Sequence, residues 1–257
     1  MSVYLKSNYS QYTKAIDLKR LRFITDNLKR YAPNGKKILD VGCGNGNISI
    51  HLGKLGYEVL GIDISDKAIA KASAYNDLPN VKFEVRSAEE IVASGVKYDG
   101  IICSEVLEHL NAPEKLLSVI HQILKDDGVL IVTVPNGFGP RELFMTKPMQ
   151  WMRKENNFLW KFVSKTKQTL GYNGTTIQSD AEDLTHVQFF THKALKKLSK
   201  QNNFSIVKLG KSNFVEDVFP FSLVTKKVKA LQFVDCKIAD VLPSQFTGGF
   251  NTVWKKV

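Results

Sequence analysis

The sequence predicts an α/β protein built on an open, doubly wound, mostly parallel sheet. Three observations carry that expectation. Between residues 36 and 135, short apolar runs alternate with helical stretches of about ten residues, the pattern of successive βαβ units. The first run ends in a glycine-rich turn at Gly42, Gly44 and Gly46, and the second ends on an acid, Asp63.

Taken in order, Leu18, Leu21, Ile24, Leu28 and Tyr31 recur at intervals of three and four after Tyr4, Tyr9 and Tyr12, which gives one amphipathic helix closed by Pro33 and Gly35. KKILDVGC (36–43) reads as a buried strand and 45–54 as a helix. YEVLGID (57–63) is a second strand, followed by a helix over 65–76 with Ser65 or Asp66 as its cap. VKFEVR (81–86) and YDGIICS (98–104) are strands three and four. Pro113 opens a helix carrying Leu116, Leu117, Ile120, Ile123 and Leu124, which leads into the strand GVLIVTVP (128–135). The alternation stops at Asn136 and resumes near Thr191 with a helix over 192–202 and a strand over 204–209; the tail ends in a strand-like FNTVWKKV.

The intervening stretch is too long for a structureless loop. Four parts are therefore expected: an N-terminal helical cap (1–35), the core (36–135), an inserted helical lid (136–190) and a C-terminal completion of the core with a basic tail (191–257). In the insertion Met149, Met152, Leu159 and Val163 share one face. Lys147, Lys154, Lys161 and Lys165 share the opposite one, with Trp151, Phe158 and Phe162 beside them. Basic amphipathic helices of this kind settle at anionic membrane interfaces, so peripheral membrane contact is one expectation for the insertion; a plain solvated face is the other. VTKKVKALQFV in the tail repeats the theme.

The 257 residues carry 36 Lys+Arg against 25 Asp+Glu, a net charge of +11, which favours anionic partners such as RNA, an acidic membrane face or a phosphorylated substrate. Hydrophobic content of 43% and charged content of 24% exclude a disordered, collagenous or coiled-coil chain. No apolar run reaches a bilayer-spanning length, and the start MSVYLKSNYS lacks the layout of a secretory signal. Cys43, Cys103 and Cys236 show no C-x-x-C spacing, so reduced thiols and a cytoplasmic location are expected.

The stretch ILDVGCGNGNISI (38–50) is the most informative. In an open parallel sheet the turn after the first strand lies at the carboxyl edge, where ligands bind. Asp63 stands about 20 residues on, where an acid accepts hydrogen bonds from ribose hydroxyls. The spacing G-x-G-x-G differs from the G-x-G-x-x-G that seats a pyrophosphate. Asp40, just before the glycines, would repel a pyrophosphate and attract an ammonium group. Together these describe a pocket for an adenosine with a positively charged amino-acid tail, the form of S-adenosyl-L-methionine.

DVGCGNG, GIDIS, YDGIICSEVLEHL and LKDDGVLIVTVPN, in that order and at these separations, resemble the motifs of class I S-adenosylmethionine-dependent methyltransferases. The likeness is strong over 36–135 and continues through LTHVQFFTHKALKKLSKQNNFSIV (184–207). It is similar there to a branch acting on quinones and small metabolites and, through PNGFGPRE and LPSQFTGGFNTVWKK, to enzymes of polysaccharide and glycolipid synthesis. The resemblance implies a Rossmann-like, seven-stranded sheet with helices on both faces. It implies that Asp40, Gly42, Cys43 and Gly44 hold the methionine part, Asp63 and Ile64 the ribose and adenine edge, Ser87 and Ala88 the adenine flank, and Ser104 and Glu105 the sulfonium side. The family often has Asp where Ser87 stands. The N/D-P-P-Y pattern of amino-group methyltransferases is absent after strand four, which leaves oxygen, carbon or small-molecule acceptors, and the resemblance implies a small-molecule or a glycan- or lipid-linked one. The alternatives are an RNA methyltransferase, which net charge keeps open, and a non-enzymatic scaffold of the same fold, against which the glycine turn and Asp63 speak.

Methyl transfer needs little from side chains beyond orientation, but a hydroxyl acceptor gains from a base. His109, just past strand four, and His186, after the insertion, are the candidates; each also admits a packing role. His51 is expected to be structural or solvent-facing. Glu105 stands where a zincin helix would begin with histidine, so no metal site is expected.

Overall fold

A computed structural model describes residues 12–148, 186–216, 218, 221–225 and 228–257. Among these, seven strands form one sheet in the order β3-β2-β1-β4-β5-β7-β6. The strands are β1 (Lys37–Val41), β2 (Glu58–Asp63), β3 (Val81–Val85), β4 (Tyr98–Ser104), β5 (Leu124–Pro135), β6 (Phe204–Lys211) and β7 (Gly249–Lys256). β1 to β5 pair in parallel, and β7 inserts antiparallel between β5 and β6. The strand order reverses between β1 and β4, so their carboxyl ends open the crevice at which such sheets bind ligands.

Side-chain alternation gives the two faces separate cores. Ile38, Ile102, Val129 and Ile131 pack with Leu21, Ile24 and Leu28 of α1 (Ala15–Tyr31) and Ile48 and Leu52 of α2 (Asn47–Lys54). Leu39, Ile101, Cys103, Leu130 and Val132 pack on the other face with α4 (Ala88–Val92), α5 (Pro113–Ile123) and α6 (His192–Gln201). α3 (Asp66–Ala74) begins at Ser65, whose Oγ accepts the Ala68 N–H at 3.2 Å, the expected cap. α7 (Phe221–Thr225) and α8 (Lys229–Val241) lie between β6 and β7.

Several boundaries differ from those read off the sequence. α1 starts at Ala15, and Tyr12 is buried ahead of it in irregular chain; Tyr4 and Tyr9 lie outside the described residues. β5 begins four residues earlier than expected because Leu124 pairs with Tyr98 before the register shifts at Gly100. The bulge leaves Asp126 and Asp127 exposed within a strand, a polar interruption that masked it. His51, one of whose two expected settings was solvent, is buried at 7% exposure, and burial lowers its pKa; its setting is structural.

Of the insertion, 136–148 and 186–190 are described. Met149, Trp151, Met152, Lys154, Phe158, Leu159, Lys161, Phe162, Val163 and Lys165 lie outside. Lys147, expected on the outward basic face, sits 3.8 Å over the Phe138 ring, a cation–π contact. Among the described residues no helix is long and apolar enough to cross a membrane.

Candidate active site

The turn after β1 takes its shape from three left-handed glycines: Gly42 at φ 67°, Gly44 at 53° and Gly46 at 77°. A side chain there would be strained, and space forbids one as well. A Cβ on Gly42 would come within 2.5 Å of Val106, and one on Gly46 within 2.5 Å of Phe83. The turn is held from below by Asp63. One of its carboxylate oxygens accepts the Gly44 N–H at 2.9 Å, and the other accepts the Ser65 N–H at 2.9 Å. Each oxygen keeps a lone pair, so the acid can take a ribose hydroxyl while it staples the turn.

Asp40 lies beneath the same turn at 1% exposure, and its Oδ2 accepts the Ser49 hydroxyl at 2.6 Å. Burial pushes its pKa up from the usual 3.8 to about 7; the Ser49 hydrogen bond opposes that rise and Asp63 adds to it. The native state therefore holds this proton more tightly than the unfolded chain does. Stability contributed by the proton is present below the unfolded value and is lost as pH rises through the window from 3.8 to about 7. Urea unfolding of the ligand-free protein is expected to show that decline, and Asp40→Asn is expected to flatten it by about 2–3 kcal/mol between pH 5 and pH 8.

The other expected cofactor residues fall around this turn with different roles. Cys43 donates its N–H to the Ile62 carbonyl at 3.0 Å, and burial raises its thiol pKa, which keeps it neutral. Ile64 is 84% exposed at the end of β2, an apolar platform open to a planar base. Ser87 is the N-cap of α4, and its N–H donates to Glu90 Oε2 at 2.7 Å, so it works locally as one half of a capping box. Ala88 is in the core and can meet a ligand only through its main chain.

Ser104 and Glu105 end β4. Glu105 holds a φ of 58°, uncommon for a residue with a side chain. Its N–H continues the sheet to the Thr133 carbonyl, and its Oε1 accepts the Thr133 hydroxyl, each at 2.9 Å. Because Thr133 has one proton to give, Ser104 Oγ, 2.9 Å away, donates to it. Glu105 Oε2 lies 3.6 Å from Arg20 of α1. Arg20 is 7% exposed, and its Nε and Nη1 make no hydrogen bond among the described residues. Arg20, Glu105, Arg141, Asn213 and Asn251 line one cleft beside β5 and β7.

His109 and His186 come together, ring centroids 5.2 Å apart and edge to face. His109 Nε2 lies 3.8 Å from Glu108 Oε1 and His186 Nδ1 3.5 Å from Glu142 Oε1. Both acids are 1% exposed. Among the described residues Glu108 has no side-chain hydrogen-bond partner; burial first, and then the charge of Glu105, raise its pKa well above the carboxylate range. The ends of the insertion are clamped here, with the Val187 and Gln188 N–H groups both donating to the Glu108 carbonyl. Ligand atoms of Glu108, His109 and His186 lie within 4.8 Å of one another, a donor set that could also hold a divalent cation.

Sequence reasoning passed over Arg20, Ser49, Glu108, Thr133 and Glu142. Arg20 left a signal: it falls at i, i+4, i+8 with Ile24 and Leu28, a charge on the apolar stripe of its own helix. Ser49 and Glu108 lie close in sequence to Asp40 and His109, but only the fold shows what they face; Thr133 and Glu142 become neighbours of the site through the fold alone and left no signal.

Residues 16–209 match the family described as "Methyltransferase domain". Similar proteins include the mitochondrial ubiquinone biosynthesis O-methyltransferase of Homo sapiens, 38% identical over 180 residues covering 62% of this chain and 49% of that protein. The ubiquinone biosynthesis O-methyltransferase of Azoarcus is 37% identical over 105 residues, covering 40% and 45%. The chain thus spans about half the length of the curated relatives it matches. Among solved structures, a SAM dependent methyltransferase from Archaeoglobus fulgidus has a TM-score of 0.59 at 18% identity, covering 94% of this chain and 95% of that one. Magnesium protoporphyrin IX methyltransferase from Synechocystis has a TM-score of 0.51 at 18% identity, covering 94% and 82%. With the family match spanning α1 to β6 and the sheet order above, this chain belongs to the methyltransferase-domain family, among the class I S-adenosylmethionine-dependent methyltransferases.

Proposed function

We propose that the protein transfers a methyl group from S-adenosylmethionine to a hydroxyl oxygen of a small-molecule acceptor. The observation that carries this reading is the His109–His186 pair, placed one short turn beyond the Val106 side chain that packs on Gly42. When bound, the cofactor supplies an electrophilic methyl and a neutral leaving group. The chain's own part is to seat it and to handle the acceptor's proton. The residues fit the cofactor: the turn is too tight for side chains, Asp63 has lone pairs to spare, Asp40 can ionise against an ammonium group, and Ile64 is open.

His109 then serves as the base that takes the hydroxyl proton, with His186 orienting it. Glu108 Oε1, 3.8 Å from His109 Nε2, faces the imidazolium that the transferred proton creates with an acceptor lone pair. A lid over 136–190 that shapes the acceptor cavity belongs to this proposal, as does a cytoplasmic setting for the three free cysteines.

The finer acceptor class, a glycan- or lipid-linked hydroxyl, rests on the resemblance of the terminal LPSQFTGGFNTVWKK segment. An RNA acceptor rests on net charge alone. Lys19, Lys125, Lys211 and Lys255 are already committed to carboxylates or carbonyls within the fold.

Thermal unfolding tests the base of the proposal. S-adenosylmethionine at 100 times its dissociation constant is expected to add about 2.7 kcal/mol of stability; a shift with a nicotinamide dinucleotide instead would refute it. Turnover of a catechol acceptor with labelled cofactor then tests the chemistry. If the histidines act as base and positioner, activity survives chelation by EDTA. Loss of activity that a divalent cation restores would replace that role with cation binding.

A further inference from the structure

α8 is turned inside out. Its inward face carries Gln232, Asp235, Cys236 and Ala239, all buried. Its outward face carries Leu231, Val234, Ile238 and Val241, exposed by 40%, 50%, 41% and 82%, at the spacing of one stripe. The stripe is about 15 Å long at 1.5 Å per residue. Phe221, Leu223 and Val224 of α7 are also more than half exposed. An exposed apolar patch of this extent marks an interaction surface.

The polar face is buried for a reason. Gln232 Oε1 accepts the Ala15 N–H at 3.1 Å, and its Nε2 donates to the Thr225 carbonyl at 2.9 Å. Asp235 accepts the Phe214 and Val215 N–H groups at 2.8 and 2.9 Å. Buried amides need acceptors, and these two side chains supply them.

Charge tells what the outward face meets. Between 221 and 241 the only acids are Asp235 and Asp240; the first is buried and the second is ion-paired with Lys19 at 2.7 Å. The same stretch holds Lys226, Lys227, Lys229 and Lys237, the last two exposed. Apolar side chains beside lysines, with one acid buried and the other neutralised by Lys19, complement an anionic lipid surface. A second copy of the chain would bring lysines against lysines.

We propose that α7 and α8 dock the protein on an anionic lipid bilayer, with the Leu231, Val234, Ile238 and Val241 stripe entering the interface and the lysines meeting headgroups. None of the four residues of the outward stripe belongs to the site described above, and the inference does not depend on the reaction proposed there.

Co-sedimentation of the full chain with vesicles of phosphatidylglycerol and phosphatidylcholine in equal parts tests it. The wild type is expected to bind these, to stay in solution with pure phosphatidylcholine, and to be released by high salt. Val234→Glu with Ile238→Glu is expected to weaken binding at least ten-fold, while circular dichroism and the thermal shift with S-adenosylmethionine stay as in the wild type. Leu223→Glu with Val241→Glu, at more exposed positions, is expected to do the same and serves if the first pair impairs folding. Failure of the wild type to bind anionic vesicles, or folded variants that bind as the wild type does, would overturn the proposal. So would a wild-type dimer, seen by sedimentation equilibrium, that the Val234→Glu/Ile238→Glu variant splits; the face would then be an interface between copies.

Discussion

Asp63→Ala is expected to lower the affinity for S-adenosylmethionine by about 100-fold. Two functions are removed at once. The carboxylate oxygens that accept the Gly44 and Ser65 N–H groups vanish, so the glycine turn loses its staple, and the acceptor for ribose hydroxyls goes with them. A hydrogen bond to a charged group is worth about 1.5–3 kcal/mol; one such bond to the ligand plus a loosened turn accounts for the factor. Titration calorimetry reads it directly. Asp63→Asn separates the two functions: an amide can accept one main-chain N–H through its oxygen, but it replaces the second acceptor with a donor. An affinity for Asp63→Ala within about three-fold of the wild type would remove Asp63 from the site.

The second large effect falls on turnover. His109→Asn is expected to lower kcat by about 10²–10⁴-fold, the usual contribution of a positioned general base, with cofactor affinity unchanged because the glycine turn is untouched. His186→Asn is expected to have a smaller effect on kcat, and the difference between the two assigns base and positioner. Glu108→Gln gives a readout that packing alone would not move. It removes the carboxyl group that faces a protonated His109, 3.8 Å away, so the pH profile of kcat is expected to change while the fold persists. Equal activity in His109→Asn and the wild type would leave the histidine pair a structural contact.

What was legible in the sequence was local. Strand and helix alternation from β1 to β5, the Ser65 cap and the glycine turn each depend on residues a few positions apart, because helix and strand periods and left-handed φ values are properties of short segments. Asp63 was legible as well, since a fixed length of chain separates the ends of successive parallel strands. α4, with its capping box at Ser87 and Glu90, is also local but too short for a periodic signal.

Tertiary structure decided the rest. His109 and His186 meet across a long insertion because the clamp of Val187 and Gln188 on Glu108 closes it, and no spacing rule links those residues. Arg20 reaches Glu105 because α1 packs on the face of the sheet formed by Ile102, Val129 and Ile131 of β4 and β5. The 3.6-residue period of α8 could be read from the chain, but which face turned inward could not. Gln232 and Asp235 turn inward to accept the Ala15, Phe214 and Val215 N–H groups, each of which would cost about 1–3 kcal/mol if buried without a partner. Local patterns along the chain set which segments are strands and helices and where the glycine turn lies; the fold decided which distant side chains come together and which face of α8 turns outward, because both depend on hydrogen-bond partners far apart in the chain.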